Sequence, residues 1–172
     1  SMNYAAIKKT DVANGPGVRV SLFVSGCTHH CKGCFNAETW DFSYGKPFDS
    51  EAEAELFKAL DHSYISGFSL LGGEPFEKAN RKVLAGLLKR IKERFPQKDI
   101  WCYSGYTFED ILSWTAQGSR DTKEMLSAID VLVDGEFVEE KKNLRLAFRG
   151  SENQRIIDVP RSLKEEKVVT KI

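Results

Sequence analysis

The chain has 172 residues, enough for one domain to bury its own core without disulfides or a structural metal. Its 25 Lys and Arg balance 25 Asp and Glu, so no global field draws it to nucleic acid or to an anionic membrane. The longest apolar stretches, such as residues 20–24 and 131–133, are strand-sized and far short of a membrane span. No apolar h-region opens the chain, and the expected setting is soluble and cytoplasmic. In a reducing compartment four cysteines, three of them within eight residues, point to metal or redox chemistry rather than to disulfides.

No internal repeat or low-complexity run divides the chain. A single domain over residues 1–172 is expected, with one loop at 26–36, another at 72–75 and a charged peripheral tail from about 160 to 172. Residues 18–25 (VRVSLFVS) are nearly all apolar and read as a buried strand ending where the cysteine loop begins. Residues 49–62 carry helical spacing through Ala52, Leu56, Ala59 and Leu60, with Asp49 or Ser50 as N-cap. A strand at 66–71 runs straight into Gly72-Gly73-Glu74-Pro75. In the helix expected at 80–95, Val83, Leu84, Leu87, Leu88 and Ile91 make the apolar face, and Pro96 stops it. A strand at 99–103, helices at 107–117 and 123–129, a strand at 130–133 and a last strand at 153–159 complete the pattern.

Alternating strands and helices predict parallel winding, which gathers ligand loops at the strands' C-terminal ends. The cysteine loop, the Gly-Gly-Glu-Pro loop, Ser104-Gly105 and Asp134-Gly135 should meet there. A closed eightfold barrel needs about 250 residues. The expected fold class is therefore α/β, a partial open barrel with a mainly parallel sheet.

Cys27-x3-Cys31-x2-Cys34 places three soft thiolates on one short loop and leaves a ligand position open, which suits a reactive iron-sulfur centre. A structural zinc completed by His29, His30, His62 or Cys102, in an adaptor without catalysis, is the alternative. Cys102 lies in an apolar strand and is expected to pack as a small hydrophobe. His29 and His30 are placed to hydrogen-bond a sulfur. Ser104 and Asp134 are candidates to hold a ligand or bound cation, although a capping Ser and a turn Asp explain them equally well. Trp40, Phe42, Tyr44 and Phe48 are expected to pack the cysteine loop onto the barrel.

Asn14-Gly15-Pro16-Gly17-Val18-Arg19, the cysteine loop continuing into Phe35-Asn36, and Gly72-Gly73-Glu74-Pro75 together resemble the radical S-adenosylmethionine (SAM) activases of glycyl radical enzymes. Tyr103-Ser104-Gly105-Tyr106-Thr107, Val133-Asp134-Gly135-Glu136-Phe137 and the stretch from Arg149 to Arg155 are similar to the branch that acts on the anaerobic ribonucleotide reductase. A glycine at 33, with the aromatic Phe35 after the third cysteine, is also similar to that branch. The resemblance implies a barrel of the radical SAM type and a 4Fe-4S cluster held by Cys27, Cys31 and Cys34. It implies SAM on the fourth iron, beside Gly72, Gly73, Glu74 and Pro75, with Phe35, Asn36, Ser104 and Asp134 as further cofactor-binding residues. Glu74 is expected to accept from SAM's ammonium, and Arg19 to contact the partner protein or a nearby carboxylate. Arg149 and Arg155 are expected on the solvated surface. The implied activity is reductive cleavage of SAM to place a glycyl radical on the reductase. A low-potential donor such as flavodoxin or ferredoxin would supply the electron, and no nucleic acid or membrane partner is expected. A small-molecule radical SAM enzyme, such as a deazapurine synthase, is the enzymatic alternative.

Overall fold

The apolar run after the first glycines is a strand buried on both faces, β2 (Arg19–Val24). Its period of two sends Val20, Leu22 and Val24 to one side and Arg19, Ser21 and Phe23 to the other. In the computed structural model, which describes residues 1–172, β2 belongs to one open sheet with β1 (Asn3–Asp11), β3 (Lys46–Pro47), β4 (Gly67–Gly72), β5 (Asp99–Tyr103), β6 (Val131–Asp134) and β7 (Arg155–Asp158). The strand order is β3-β1-β2-β4-β5-β6-β7. The pairs β2-β4, β4-β5 and β5-β6 are parallel, while β1 and β7 close the two flanks antiparallel. The sheet does not close on itself, as the length of the chain requires of a partial barrel.

The helices α1 (Ser50–Leu60), α2 (Lys78–Arg94), α3 (Phe108–Ala116) and α4 (Arg120–Ala128) come from the crossovers, and α5 (Val159–Glu165) follows β7. Leu84, Leu87, Leu88 and Ile91 of α2 pack with Leu22, Phe68, Leu70, Ile100, Cys102 and Leu132 in the main core. Side-chain caps set the helix starts. Asp49 accepts from the Ala52 N–H at 2.9 Å, Thr107 and Asp110 form a reciprocal capping box, and Ser119 caps α4. This last cap starts α4 at Arg120, three residues before the periodicity places it.

β1 carries no sequence signal of its own, because Lys8, Lys9 and Thr10 face solvent on a flank strand. It is recruited by its antiparallel ladder to β2, which contains two irregularities in register. The strand expected at 153–159 is the shorter β7, and residues 167–171 run back along it through Asp158 N–H to Val169 O at 2.8 Å and Lys171 N–H to Ile156 O at 2.9 Å.

On the face away from the helices the register stacks side chains in layers. Phe23, Leu71, Tyr103 and Val133 share the layer nearest the strands' C-terminal ends, and Ser21, Ser69, Trp101 and Val131 lie below it. Arg19 occupies the floor and is fully buried. It donates to Ser69 Oγ at 2.8 Å and to the carbonyls of Pro16, Phe68 and Asp99. Its Nη2 also lies 2.8 Å from Asp99 Oδ1, an ion pair without hydrogen-bond alignment. Of the two expected targets for Arg19, the carboxylate is the one it meets; burial removes it from any protein surface. No helix is long and apolar enough to cross a membrane.

Candidate functional site

The four loops expected to converge do so. Cys27, Cys31, Cys34, Gly72, Gly73, Glu74, Ser104, Gly105 and Gly135 line one cavity of about 440 Å³ above the sheet. Close backbone contact joins the first two loops. Gly26 O accepts from Glu74 N–H at 2.7 Å, and Val24 O accepts from Gly73 N–H at 2.8 Å. Gly72 takes φ +120°, and a Cβ there would stand 2.4 Å from Val24 N. A Cβ on Gly73 would stand 2.6 Å from Gly26 O. The paired glycines thus let the end of β4 lie flush against the root of the cysteine loop. Asn80, in the first turn of α2, locks the same junction by donating to Ser25 O and Glu74 O, both at 3.1 Å.

Glu74 is the centre of the polar framework and is completely buried. Its Oε1 faces His29 Nε2 at 2.9 Å and accepts from Gly105 N–H at 2.7 Å, while Oε2 accepts from Ser104 Oγ and Phe76 N–H, both at 2.8 Å. One carboxylate therefore ties the cysteine loop, its own loop and the loop after β5 into a single unit. His29 continues the chain, with Nδ1 3.0 Å from Glu136 Oε2. Burial pulls the His29 imidazole down, but Glu74 and Glu136 outweigh it and raise it above its ordinary range. Glu77 joins from below, accepting from Thr28 Oγ1 at 2.9 Å and Tyr106 OH at 2.8 Å.

Burial pushes the Cys27 thiol up to about 11, with Glu74 and Glu77 adding to it, so the free thiol is neutral at pH 7. A metal cation in the site takes the proton's place. Burial and then Glu136 raise Cys31 as well. Asn36 N–H points at Cys34 Sγ at 3.4 Å. The three thiols line the cavity without closing on one point. A cubane takes one thiolate at each of three irons, so its ligands stand apart, and this donor set fits such a group. Cys102 is on the opposite, helix-covered face, fully buried, with its thiol raised well above the usual value by burial, and it packs as a hydrophobe.

Other expected residues fall elsewhere. Phe35 and Asn36 line the cavity, whereas the Pro75 and Asp134 side chains do not. Asp134 turns to the far side of its strand end, where Arg155 binds it through Nε and Nη2 and the Phe108 N–H donates to it at 2.8 Å. Arg155 also holds Glu109, so it is a structural clamp rather than a solvated surface residue. Arg149 is half-buried at the cavity edge instead of free in solvent, and its Nη1 donates to Gln154 O at 2.6 Å. His30 stacks on Trp40 at 4.4 Å, which braces the cysteine loop, whereas Phe48 packs edge-on to Tyr4 of β1 at 5.6 Å and against the main core, away from that loop. The sequence reading missed Glu77, Asn80 and Tyr106. Only Tyr106 carried a signal, as part of the motif after β5.

A family model described as a 4Fe-4S single cluster domain matches residues 13–157. The chain is 43% identical over 155 residues to the anaerobic ribonucleoside-triphosphate reductase-activating protein of Pasteurella multocida (strain Pm70), covering 89% of this chain and 95% of that protein. It is 44% identical over 157 residues to the protein of the same name from Enterobacteria phage T4, covering 90% and 93%. For that of Escherichia coli (strain K12) the identity is 39% over 155 residues, covering 89% and 96%.

Proposed function

The chain belongs to the 4Fe-4S single cluster domain family and, within it, to the anaerobic ribonucleoside-triphosphate reductase-activating proteins, and from that membership we propose that it activates the anaerobic reductase by generating its glycyl radical. The observation that carries the proposal is the meeting of three thiols and the Gly72-Gly73-Glu74 loop in one cavity at the strand ends. When bound, a 4Fe-4S cluster and SAM supply the chemistry, one electron cleaving SAM to methionine and a 5′-deoxyadenosyl radical that takes hydrogen from a glycine Cα.

In this proposal Cys27, Cys31 and Cys34 each hold one iron as thiolates. Gly72 and Gly73, lacking side chains, border the methionine end of SAM, Pro75 stiffens their turn, and Phe35 and Asn36 flank it beside Cys34. Glu74 is already fully hydrogen-bonded, so it reaches an ammonium group only by exchanging it for His29 at Oε1. Ser104 keeps Glu74 in place, and Asp134 acts through the loop it anchors unless it releases Arg155. A low-potential donor of the flavodoxin or ferredoxin kind delivers the electron. The matching 4Fe-4S family model and the names of the relatives lend no support to a zinc adaptor.

The test is anaerobic reconstitution with iron and sulfide, followed by dithionite, SAM and the cognate reductase. 5′-Deoxyadenosine and a glycyl radical signal from the wild type, with neither from Cys31→Ala, are expected. A full, reducible cluster that cleaves no SAM even with the reductase present would refute the proposal.

A further inference from the structure

Three residues that line the cavity of the three thiols carry a donor that the protein does not use: Trp40 Nε1, the Tyr103 hydroxyl and Arg149 Nε are each buried without a hydrogen-bond partner. Trp40 belongs to the cysteine loop itself, stacked on His30, whereas Tyr103 at the end of β5 and Arg149 stand outside that loop. Around them polar groups are matched: Glu74 has four partners, and Ser104 both donates and accepts. Buried donors are rarely left without an acceptor, and several in one cavity call for a ligand that brings acceptors. Burial raises the Tyr103 phenol far above its ordinary value, so the hydroxyl keeps its proton at any working pH.

The mouth of the same cavity indicates what enters. Leu144 lines it and is 84% exposed, and Val12, next to the lining residue Ala13, is 71% exposed. Exposed apolar side chains around a polar cleft mark a surface that meets another protein, and a small charged cofactor has no need of them. An extended peptide supplies backbone carbonyl acceptors at regular intervals, about 3.3 Å per residue. A glycine in that peptide carries no side chain to collide with the layer of Phe23, Leu71, Tyr103 and Val133.

Resting on the proposed function, we infer that Tyr103 and Arg149 hold the backbone of the reductase's glycine-bearing segment, the Tyr103 hydroxyl and Arg149 Nε donating to its peptide carbonyls. They are positioning residues for the protein substrate.

Tyr103→Phe tests this, because it removes the hydroxyl and keeps the ring. In the protein without cluster or SAM, the melting temperature of Tyr103→Phe should equal or exceed that of the wild type, since no partner is lost. In the reconstituted enzyme, the KM for the cognate reductase should rise roughly fivefold, the loss of one hydrogen bond. More 5′-deoxyadenosine should form per glycyl radical, and Arg149→Met should act in the same direction. An unchanged KM for the reductase with unchanged coupling overturns the inference while leaving the proposed function intact. So does a rise confined to the KM for SAM, which would assign the donors to the cofactor. A wild type that cleaves SAM but yields no glycyl radical removes the proposed function and the inference with it.

Discussion

Glu74 and His29 meet at 2.9 Å between Oε1 and Nε2, and this contact joins the cysteine loop to the turn after β4. The two residues are 45 positions apart, and the carboxylate takes three further donors from the chain. The geometry of the candidate cluster loop therefore depends on a residue that is not itself a thiol.

Glu74→Gln keeps the shape but gives up the charge and one acceptor atom, leaving buried donors unmatched. The protein without cofactor should lose about 2 kcal/mol of stability in urea denaturation, and Glu74→Ala more. Equal midpoints for wild type and Glu74→Gln would mean that the network does not hold the loops.

Gly73→Ala puts a methyl group 2.6 Å from Gly26 O and 2.9 Å from Thr39 O, both main-chain atoms that cannot swing aside. The loops must part, at a cost of about 1–3 kcal/mol. Iron bound per chain after anaerobic reconstitution should fall well below that of the wild type, while far-ultraviolet circular dichroism stays unchanged. Full iron content in the variant would show that the two loops need not lie flush.

Arg19→Lys should not rescue Arg19→Met. An ammonium cannot reproduce the fork that serves Ser69 and three carbonyls at once, so both variants should lose about 3 kcal/mol. Chemical denaturation measures this. A loss of affinity for the reductase with stability intact would return Arg19 to the partner surface.

Cys102→Ala should bind as much iron as the wild type and cost about 1 kcal/mol through the small cavity left in the core. Cys31→Ala should bind less. Matching losses of iron in the two variants would make Cys102 a ligand.

Asp11 gives a pH signature. Burial raises its carboxyl, but hydrogen bonds from Ser21, Asn14 and the Ala13 N–H, helped by Lys8, bring it below the ordinary value. A depressed folded pKa contributes stability that is fully present above the unfolded value near 3.9 and is lost as pH falls through the folded one. The stability gap between wild type and Asp11→Asn should shrink when denaturation midpoints are compared from about pH 5 down to pH 3. A constant gap would show that the network is indifferent to the charge.

The sequence by itself determined the features written in neighbouring residues. Three thiols within eight positions specify a soft metal centre, because one short loop brings them together without help from the rest of the chain. The apolar periods of α1, α2 and β2, the stop after α2 and the turn at residues 72–75 are local in the same way, and so was the parallel winding they imply. One cap residue, Ser119, shifted a helix start by three positions, which is the scale on which local reading errs. The tertiary structure decided what depends on strand order. It recruited β1, whose exposed lysines hide its place between β2 and β3, and it turned Asp134 to Arg155, 21 positions away, rather than into the cavity. Placing β2, β4 and β5 side by side buried Arg19 against Ser69 and Asp99 and set Tyr103 in a layer with Phe23 and Leu71. A polar side chain spends its hydrogen bonds on whichever groups the fold brings near, and groups 30 to 80 residues away leave no periodic trace in the sequence around it.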